Sequence, residues 1–223
     1  MKTVLLTSFG KYGDYPANSS EIVTKTLTGM KKGPGFWAIA ENFPADIPRY
    51  NRGKHVLDMA KSEEVSPDGI DALISIGMDS SKTGVSIETQ ATNRIFHPRY
   101  VPAELNNTPV DPTLPLDYEF DDDLGPHWDI DKMMLGFHHT GVRLEFSLVT
   151  SGFCCNHLMF QMMRLRSTHP KTLDQIPWIF IHIPCTPECV SGPMDVFLKA
   201  GKITLTKEQV ISSLGIIVGC LRN

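Results

Sequence analysis

Four short apolar runs set the limits on how this chain can fold. They are "TVLLTSF" (Thr3–Phe9), "DALISIGM" (Asp71–Met78), "RLEFSLVTS" (Arg143–Ser151) and "PWIFIHIP" (Pro177–Pro184). Runs this short and this apolar read as strands buried in a sheet. The third alternates, which puts Leu144, Phe146 and Leu148 on one face. Helical patterns fill the intervals. Asn18 and Glu21 stand at capping-box spacing before "SEIVTKTL". "RYNRGKHVLDMAKSEE" precedes the second run, and "CCNHLMFQMMRLR" follows the third. "DIDKMMLGFHHTG" carries Ile130, Met133 and Phe137 on one face and ends at Gly141, a helix-stopping residue. Thr206 and Gln209 form a second capping box, ahead of a stripe of Val210, Leu214, Ile217, Val218 and Leu221. Strands alternating with helices predict an α/β fold: a three-layer α/β/α sandwich around a mostly parallel, twisted central sheet.

The chain has 223 residues, 41% hydrophobic and 21% charged. That length suits one large core, so residues 1–223 are expected to form a single α/β domain. The net charge of −4 offers no nucleic-acid surface. No apolar run approaches the ~20 residues of a membrane span. The opening "MKTVLLTSFGK" has too short an apolar stretch for a signal peptide and no small-residue cleavage pattern, so it reads as a first strand. Five cysteines, an odd number in apolar settings, fit reduced thiols in the cytoplasm. One segment breaks the rhythm. Residues 97–128, "HPRYVPAELNNTPVDPTLPLDYEFDDDLGPHW", are rich in Pro, Asn and Asp and read as a long functional loop or insert.

In open α/β sheets, sites form outside the carboxyl ends of the strands. Phe9 ends the first run, Cys154 and Cys155 follow the third, and His182 sits near the end of the fourth. A cysteine at a helix N-terminus has its thiolate stabilised by free N–H groups and the helix dipole. A neighbouring histidine could serve as base and acid, the layout of a cysteine hydrolase. Packing alternatives stand beside this one, since a buried Cys is ordinarily a small hydrophobe and a strand His a hydrogen-bonded core residue. A zinc set of Cys154, Cys155, His157, Cys185 and Cys189 lacks clean ligand pairs. A nucleoside-phosphorylase-like enzyme would need a phosphate cradle, and the sequence has neither a Gly-rich P-loop nor an Arg cluster.

The same residues carry a family resemblance. "SFGKYGDYPANSS" is similar to the first turn of type I pyroglutamyl peptidases (pyrrolidone carboxylate peptidases), with Phe9 and Tyr12 at its two aromatic positions and Asn18 at its Asn. "ISIGMDSSKTGVSIETQATN" resembles the segment holding that family's catalytic Glu, and supplies Glu88 and Asn93. In that segment Lys82 lies near the position of a Gly-Arg pair found in bacterial members, and Thr89 replaces an Arg. "TSGFCCN" resembles the nucleophile motif, one residue shorter before the cysteine, and matches at Cys155 because Asn156 follows it. "FIHIP" matches the histidine motif at His182.

The resemblance implies a cysteine peptidase that removes an N-terminal pyroglutamyl residue from peptides. Cys155 would be the nucleophile, His182 the base and Glu88 its orienting carboxylate. Phe9, Tyr12 and Phe153 would line the pocket for the flat, uncharged lactam ring. The chemistry calls for no cofactor or metal. The implied partners are peptides with an N-terminal pyroglutamate, and a homo-oligomer is left open. The altered first turn motivates an alternative, a weak or inactive relative that only binds such peptides.

Overall fold

The computed structural model describes residues 1–11, 15–29, 36–43, 52–62, 69–96, 105–148, 153–168, 176–190 and 205–222. In chain order the elements are β1 (Lys2–Phe9), α1 (Ser19–Gly29), β2 (Phe36–Phe43), α2 (Arg52–Ala60), β3 (Ala72–Met78), β4 (Val85–Glu88), β5 (Gln90–Thr92) and β6 (Glu119–Asp121). They continue with α3 (Ile130–Thr140), β7 (Leu144–Ser147), α4 (Cys154–Thr168), β8 (Trp178–Ile183), a 3-10 turn (Pro187–Cys189) and α5 (Lys207–Gly219). Six strands form the central sheet in the order β2-β1-β3-β8-β4-β7. The first four run parallel. β4 is antiparallel to β8, and β7 is parallel to β4. The sheet is therefore mostly parallel, with a reversed pair along one border.

Strand alternation splits the core into two layers. Val4 and Leu6 of β1, Ile74 and Ile76 of β3, Val85 and Ile87 of β4, and Ile179, Ile181 and Ile183 of β8 meet α1, α3 and α5. The opposite parity sends Leu5, Phe9, Leu73, Trp178 and Phe180 against α2 and α4. Each large aliphatic or aromatic side chain so buried contributes about 1.5–3 kcal/mol. Helix ends follow the sequence signals. Asp129 caps α3 by accepting from the Lys132 N–H, and Gly141 closes that helix at φ 68°. Thr206 and Gln209 form the full reciprocal box at the start of α5. Asn18 caps α1 through Ser20, whose N–H it accepts at 3.0 Å, while Glu21 pairs with Lys25 one turn on. The Asn18–Glu21 spacing thus marks the right boundary through a different bond from the box it suggests.

Three expectations need correction. β2 and β4 are strands that the apolar-run criterion passes over, β4 being only four residues long. The third run yields a strand over residues 144–147, and of its shared face only Leu144 packs against the core, Phe146 being 43% and Leu148 65% exposed. β7 is an edge strand, covered on one side only by a neighbour. It also runs opposite to β8, so its end does not join the carboxyl ends of β1, β3 and β8. Within 97–128, residues 105–128 hold β6, which pairs with β5, and they lie over α4. There Phe120 meets Phe160 at 5.0 Å, and Arg164 and Arg166 each reach an aspartate, Asp111 and Asp122, at 3.0 Å. No helix among the described residues is long and apolar enough to cross a membrane.

α2 and α4 cross closely because Gly53 has no side chain. A Cβ there would come within 2.8 Å of the Gln161 Cβ. The Gly53 N–H donates to Gln161 Oε1 at 3.0 Å, so the amide's nitrogen faces His157 Nε2 at 3.3 Å and makes that ring nitrogen an acceptor. His157 is thereby held neutral. Burial, and then the charge of Arg52, lower its pKa to about 3. The unfolded chain binds a proton at this ring near the ordinary His value of about 6.5, and the folded chain does not. Stability tied to His157 is therefore present above about pH 6.5 and declines as the pH falls toward 3. Urea unfolding should show wild-type stability dropping between pH 7 and 4.5, and a His157→Leu variant should lose distinctly less over that interval. Equal losses in the two proteins would remove His157 from the acid sensitivity.

Candidate active site

The parity that builds the second core layer also delivers polar groups to it. On β8, His182 shares the face of Trp178 and Phe180. On β4, Ser86 and Glu88 oppose Val85 and Ile87. The antiparallel register sets Ser86 opposite His182 and Glu88 opposite Phe180, so Glu88 is a diagonal neighbour of the histidine. Its side chain spans the diagonal. His182 Nδ1 donates to Glu88 Oε1 at 2.9 Å, both residues being almost wholly buried. With Nδ1 engaged, Nε2 is left buried and without a hydrogen-bond partner among the described residues.

Cys155 enters from α4. The Phe153 carbonyl accepts the His157 N–H at 3.0 Å, which makes Phe153 the residue before the helix and puts both cysteines in its first turn. Asn156 clamps that turn to the chain beyond β4. Its Oδ1 accepts the Thr92 N–H, and its Nδ2 donates to the carbonyls of Thr92 and Arg94, all at 2.9 Å. Gly77 of β3 leaves the space in which sulfur and imidazole meet. A Cβ on Gly77 would stand 2.7 Å from His182 Nε2 and 2.9 Å from Cys155 Sγ. The sulfur and the open ring nitrogen thus both border the space that Gly77 leaves. Glu88, His182 and Cys155, far apart in sequence, are brought to one place.

Charge around this point is organised. Lys82 Nζ lies 3.5 Å from Glu88 Oε1 and donates to Ser86 Oγ at 3.0 Å, and Ser86 Oγ donates to the same carboxylate oxygen at 3.0 Å. Burial raises the Glu88 pKa, but the hydrogen bond and charge of His182, then Ser147 and Lys82, outweigh it, and the carboxyl sits below its ordinary value. Asp79, just past β3, also sits low. Burial opposes this, and the Ser81 amide and hydroxyl with the charges of His182 and Lys82 prevail. The Cys155 thiol is pushed up by its hydrogen bond with Cys154, by burial, and by negative charge at Cys154, Asp79 and Glu88. The thiol thus lies above its ordinary value, against the easing expected at a helix terminus, first because of its bond to Cys154 and then because the terminus is buried.

Phe9 is buried with its ring 6.3 Å from that of Phe43 and the Arg52 guanidinium 6.0 Å above it. Phe153 lies in the same apolar layer as Phe9 and Cys155. Tyr12 lies outside the described residues. The side chains weighed as zinc ligands fall in separate places: Cys185 and Cys189 pack with Met78, whereas Cys154 and Cys155 belong to the layer under α4. Sequence reasoning passed over Ser86 and Asp79, and read Lys82 only as a neighbour of an absent Gly-Arg pair. The signal for Ser86 was its two-residue spacing from Glu88, which places both on one strand face.

Known proteins share this arrangement of sequence and fold. A profile of the family described as pyroglutamyl peptidase matches residues 2–219. A pyrrolidone-carboxylate peptidase of Pyrococcus furiosus is 28% identical over 190 residues, spanning 83% of this chain and 82% of its own. One from Bacillus cytotoxicus is 25% identical over 222 residues, spanning 98% and 92%. Among solved structures, pyroglutamyl peptidase I of Bacillus amyloliquefaciens aligns with a TM-score of 0.70 at 23% identity, over 97% of this chain and 92% of that one. The pyrrolidone carboxyl peptidase of Thermococcus litoralis aligns at 0.73 and 20%, over 98% and 92%. At such identities the structural matches speak to the fold.

The gap at Gly77 yields a direct test. Gly77→Ala drives a methyl between sulfur and ring, and overpacking of this kind costs about 1–3 kcal/mol. The variant should melt at lower temperature, and its Cys155 should be alkylated at a changed rate. Unchanged melting and unchanged alkylation would mean that the two side chains do not meet over Gly77.

Proposed function

The chain belongs to the pyroglutamyl peptidase family, and we propose that it hydrolyses the bond following an N-terminal pyroglutamyl residue, with Cys155, His182 and Glu88 as its catalytic triad. One observation carries this reading: His182 bonds Glu88 through Nδ1, while its open Nε2 and the Cys155 sulfur both lie beside Gly77, within 2.9 Å of where a Cβ there would stand. That is the division of labour a nucleophile, a base and an orienting carboxylate require.

The steps follow from the geometry. His182 Nε2 takes the thiol proton as Sγ attacks the scissile carbonyl carbon, and Glu88 stabilises the imidazolium. The resting thiol is pushed up by its bond to Cys154 and by burial, so it needs a base to take its proton, the role assigned to His182. Backbone N–H groups in the first turn of α4 hold the oxyanion. Removing one such donor costs about 3–4 kcal/mol in a measured protease. Collapse of the tetrahedral species breaks the C–N bond, and His182 returns the proton to the leaving amine. Water then attacks the thioester, giving its proton to His182, and pyroglutamate leaves as the thiol is regenerated. The lactam carries no charge, so an apolar wall suits it. Phe9 and Phe153, in the layer that holds Cys155, support that assignment, and Tyr12 is proposed as a third contact.

Hydrolysis of a fluorogenic pyroglutamyl amide is the decisive assay. Cys155→Ser should lose turnover, and Cys154→Ser should keep it. His182→Ala should lose on the order of 10²–10⁴-fold or more in kcat, and Glu88→Gln should lose less. Near wild-type turnover in His182→Ala would refute the mechanism. For the ring pocket, Phe9→Ala should raise KM more than it lowers kcat; lower thermal stability with unaltered kinetics would reduce Phe9 to a packing residue.

A further inference from the structure

Three donors converge on one oxygen of Glu88. His182 Nδ1 stands at 2.9 Å, Ser86 Oγ at 3.0 Å and Lys82 Nζ at 3.5 Å. Lys82 is unusual among them. It lies in the turn after β3, where a lysine would ordinarily extend into water, yet its side chain is only 15% exposed. Burying that length of chain and its ammonium costs free energy unless the charge is used. The turn itself aims it inward. The Lys82 N–H closes on the Asp79 carbonyl at 3.1 Å, and Asp79 Oδ1 accepts from the Ser81 N–H at 2.9 Å.

The groups around His182 show what the charge does. From β4 come Glu88 and Ser86; from the turn after β3, Asp79 and Lys82. From α4 come Cys155 and Cys154, and on β8 itself the Phe180 ring lies 5.2 Å away. Without Lys82, two carboxylates would face the imidazole and thiol with no fixed cation among these groups. Such a field favours a protonated ring and opposes a thiolate, which are the wrong states for a base and a nucleophile.

We propose that Lys82 is a positioning residue of the triad: acting directly and through Ser86, it anchors the Glu88 carboxylate toward His182 and offsets the paired negative charge of Glu88 and Asp79. This role presupposes the hydrolytic reading of the triad, so its test has one arm that needs no turnover.

The variants are Lys82→Met, which keeps the aliphatic stem, Lys82→Arg, which keeps the charge, and Ser86→Ala, which cuts the bridge alone. Each is checked for thermal stability, assayed for pyroglutamyl amide hydrolysis against pH, and labelled with iodoacetamide against pH, with Cys155 adducts located by mass spectrometry. Lys82→Met should lose roughly tenfold or more in kcat with little change in KM, the scale of losing a hydrogen bond to a charged group. Both its rate profile and its Cys155 labelling profile should move to higher pH, by roughly half a unit or more. Lys82→Arg should recover both. Ser86→Ala should lower kcat while leaving the profiles in place, and it stands in if Lys82→Met does not fold. Unmoved profiles in a folded Lys82→Met, or no recovery with arginine, would overturn the proposal. If the wild type hydrolyses no pyroglutamyl amide, the functional reading fails, and the labelling arm still decides the role of Lys82.

Discussion

A carboxylate with no exposure to water needs donors to stay ionised, and Glu88 gathers three at one oxygen, Oε1, from His182, Ser86 and Lys82. Its burial follows from β4 lying between β8 and β7 under α4. Its ionisation follows from His182, Ser147 and Lys82, whose hydrogen bonds and charge outweigh the burial. The consequence reaches the histidine, because an imidazole that gives its Nδ1–H to a fixed carboxylate has its tautomer and ring plane set. Nε2, which borders Gly77 as the Cys155 sulfur does, is then left without a hydrogen-bond partner among the described residues. The reversed border strand is what makes this possible. An antiparallel β4 brings Glu88 back along β8, so that a residue opposite Phe180 reaches a residue two places on.

The thiol gains nothing from its neighbours before substrate arrives. It is buried, bonded to Cys154 and close to two carboxylates. A cysteine at an exposed helix N-terminus relies on helix charge to ionise. Here the carboxylates that prepare the histidine work against the sulfur. The groups that fix the His182 ring thus keep the Cys155 thiol protonated at rest.

Much of the fold was legible because parity is a local property. β1, β3 and β8 announce themselves as apolar runs, and α3 and α5 by their caps and stripes. What was not legible has physical reasons. β4 has four residues, too few for a period to register, although Ser86 and Glu88 already stand on one face. β2 mixes Glu and Asn into its apolar positions. β7 alternates well but borders the sheet, and alternation alone does not say which face has a cover. Glu88, Cys155 and His182 were suggested by resemblance, since nothing local in "VSIE" marks a triad member. Lys82 was illegible as a partner because a lysine's address depends on a turn, and only the Asp79–Lys82 backbone bond directs it inward.

Two asparagines tie the long segment to the chemistry. Asn93 donates to the carbonyls of Asp111, Leu114 and Pro115 and accepts the Asp111 N–H at 2.7 Å, folding residues 111–115 around itself. Asn156, next to Cys155, holds the backbone of Thr92 and Arg94 on either side of that asparagine. Arg164 on α4 returns to Asp111. The first turn of α4, the chain beyond Glu88 and the segment over the helix are thus one hydrogen-bonded unit. A displacement of residues 111–115 would be felt at Asn93, passed to Thr92 and so to Asn156, the residue after Cys155. Asn156 therefore has a structural reason independent of any reaction: its three bonds tie the first turn of α4 to the chain beyond Glu88, a placement that packing of small side chains such as Cys154 and Cys155 could not fix as closely.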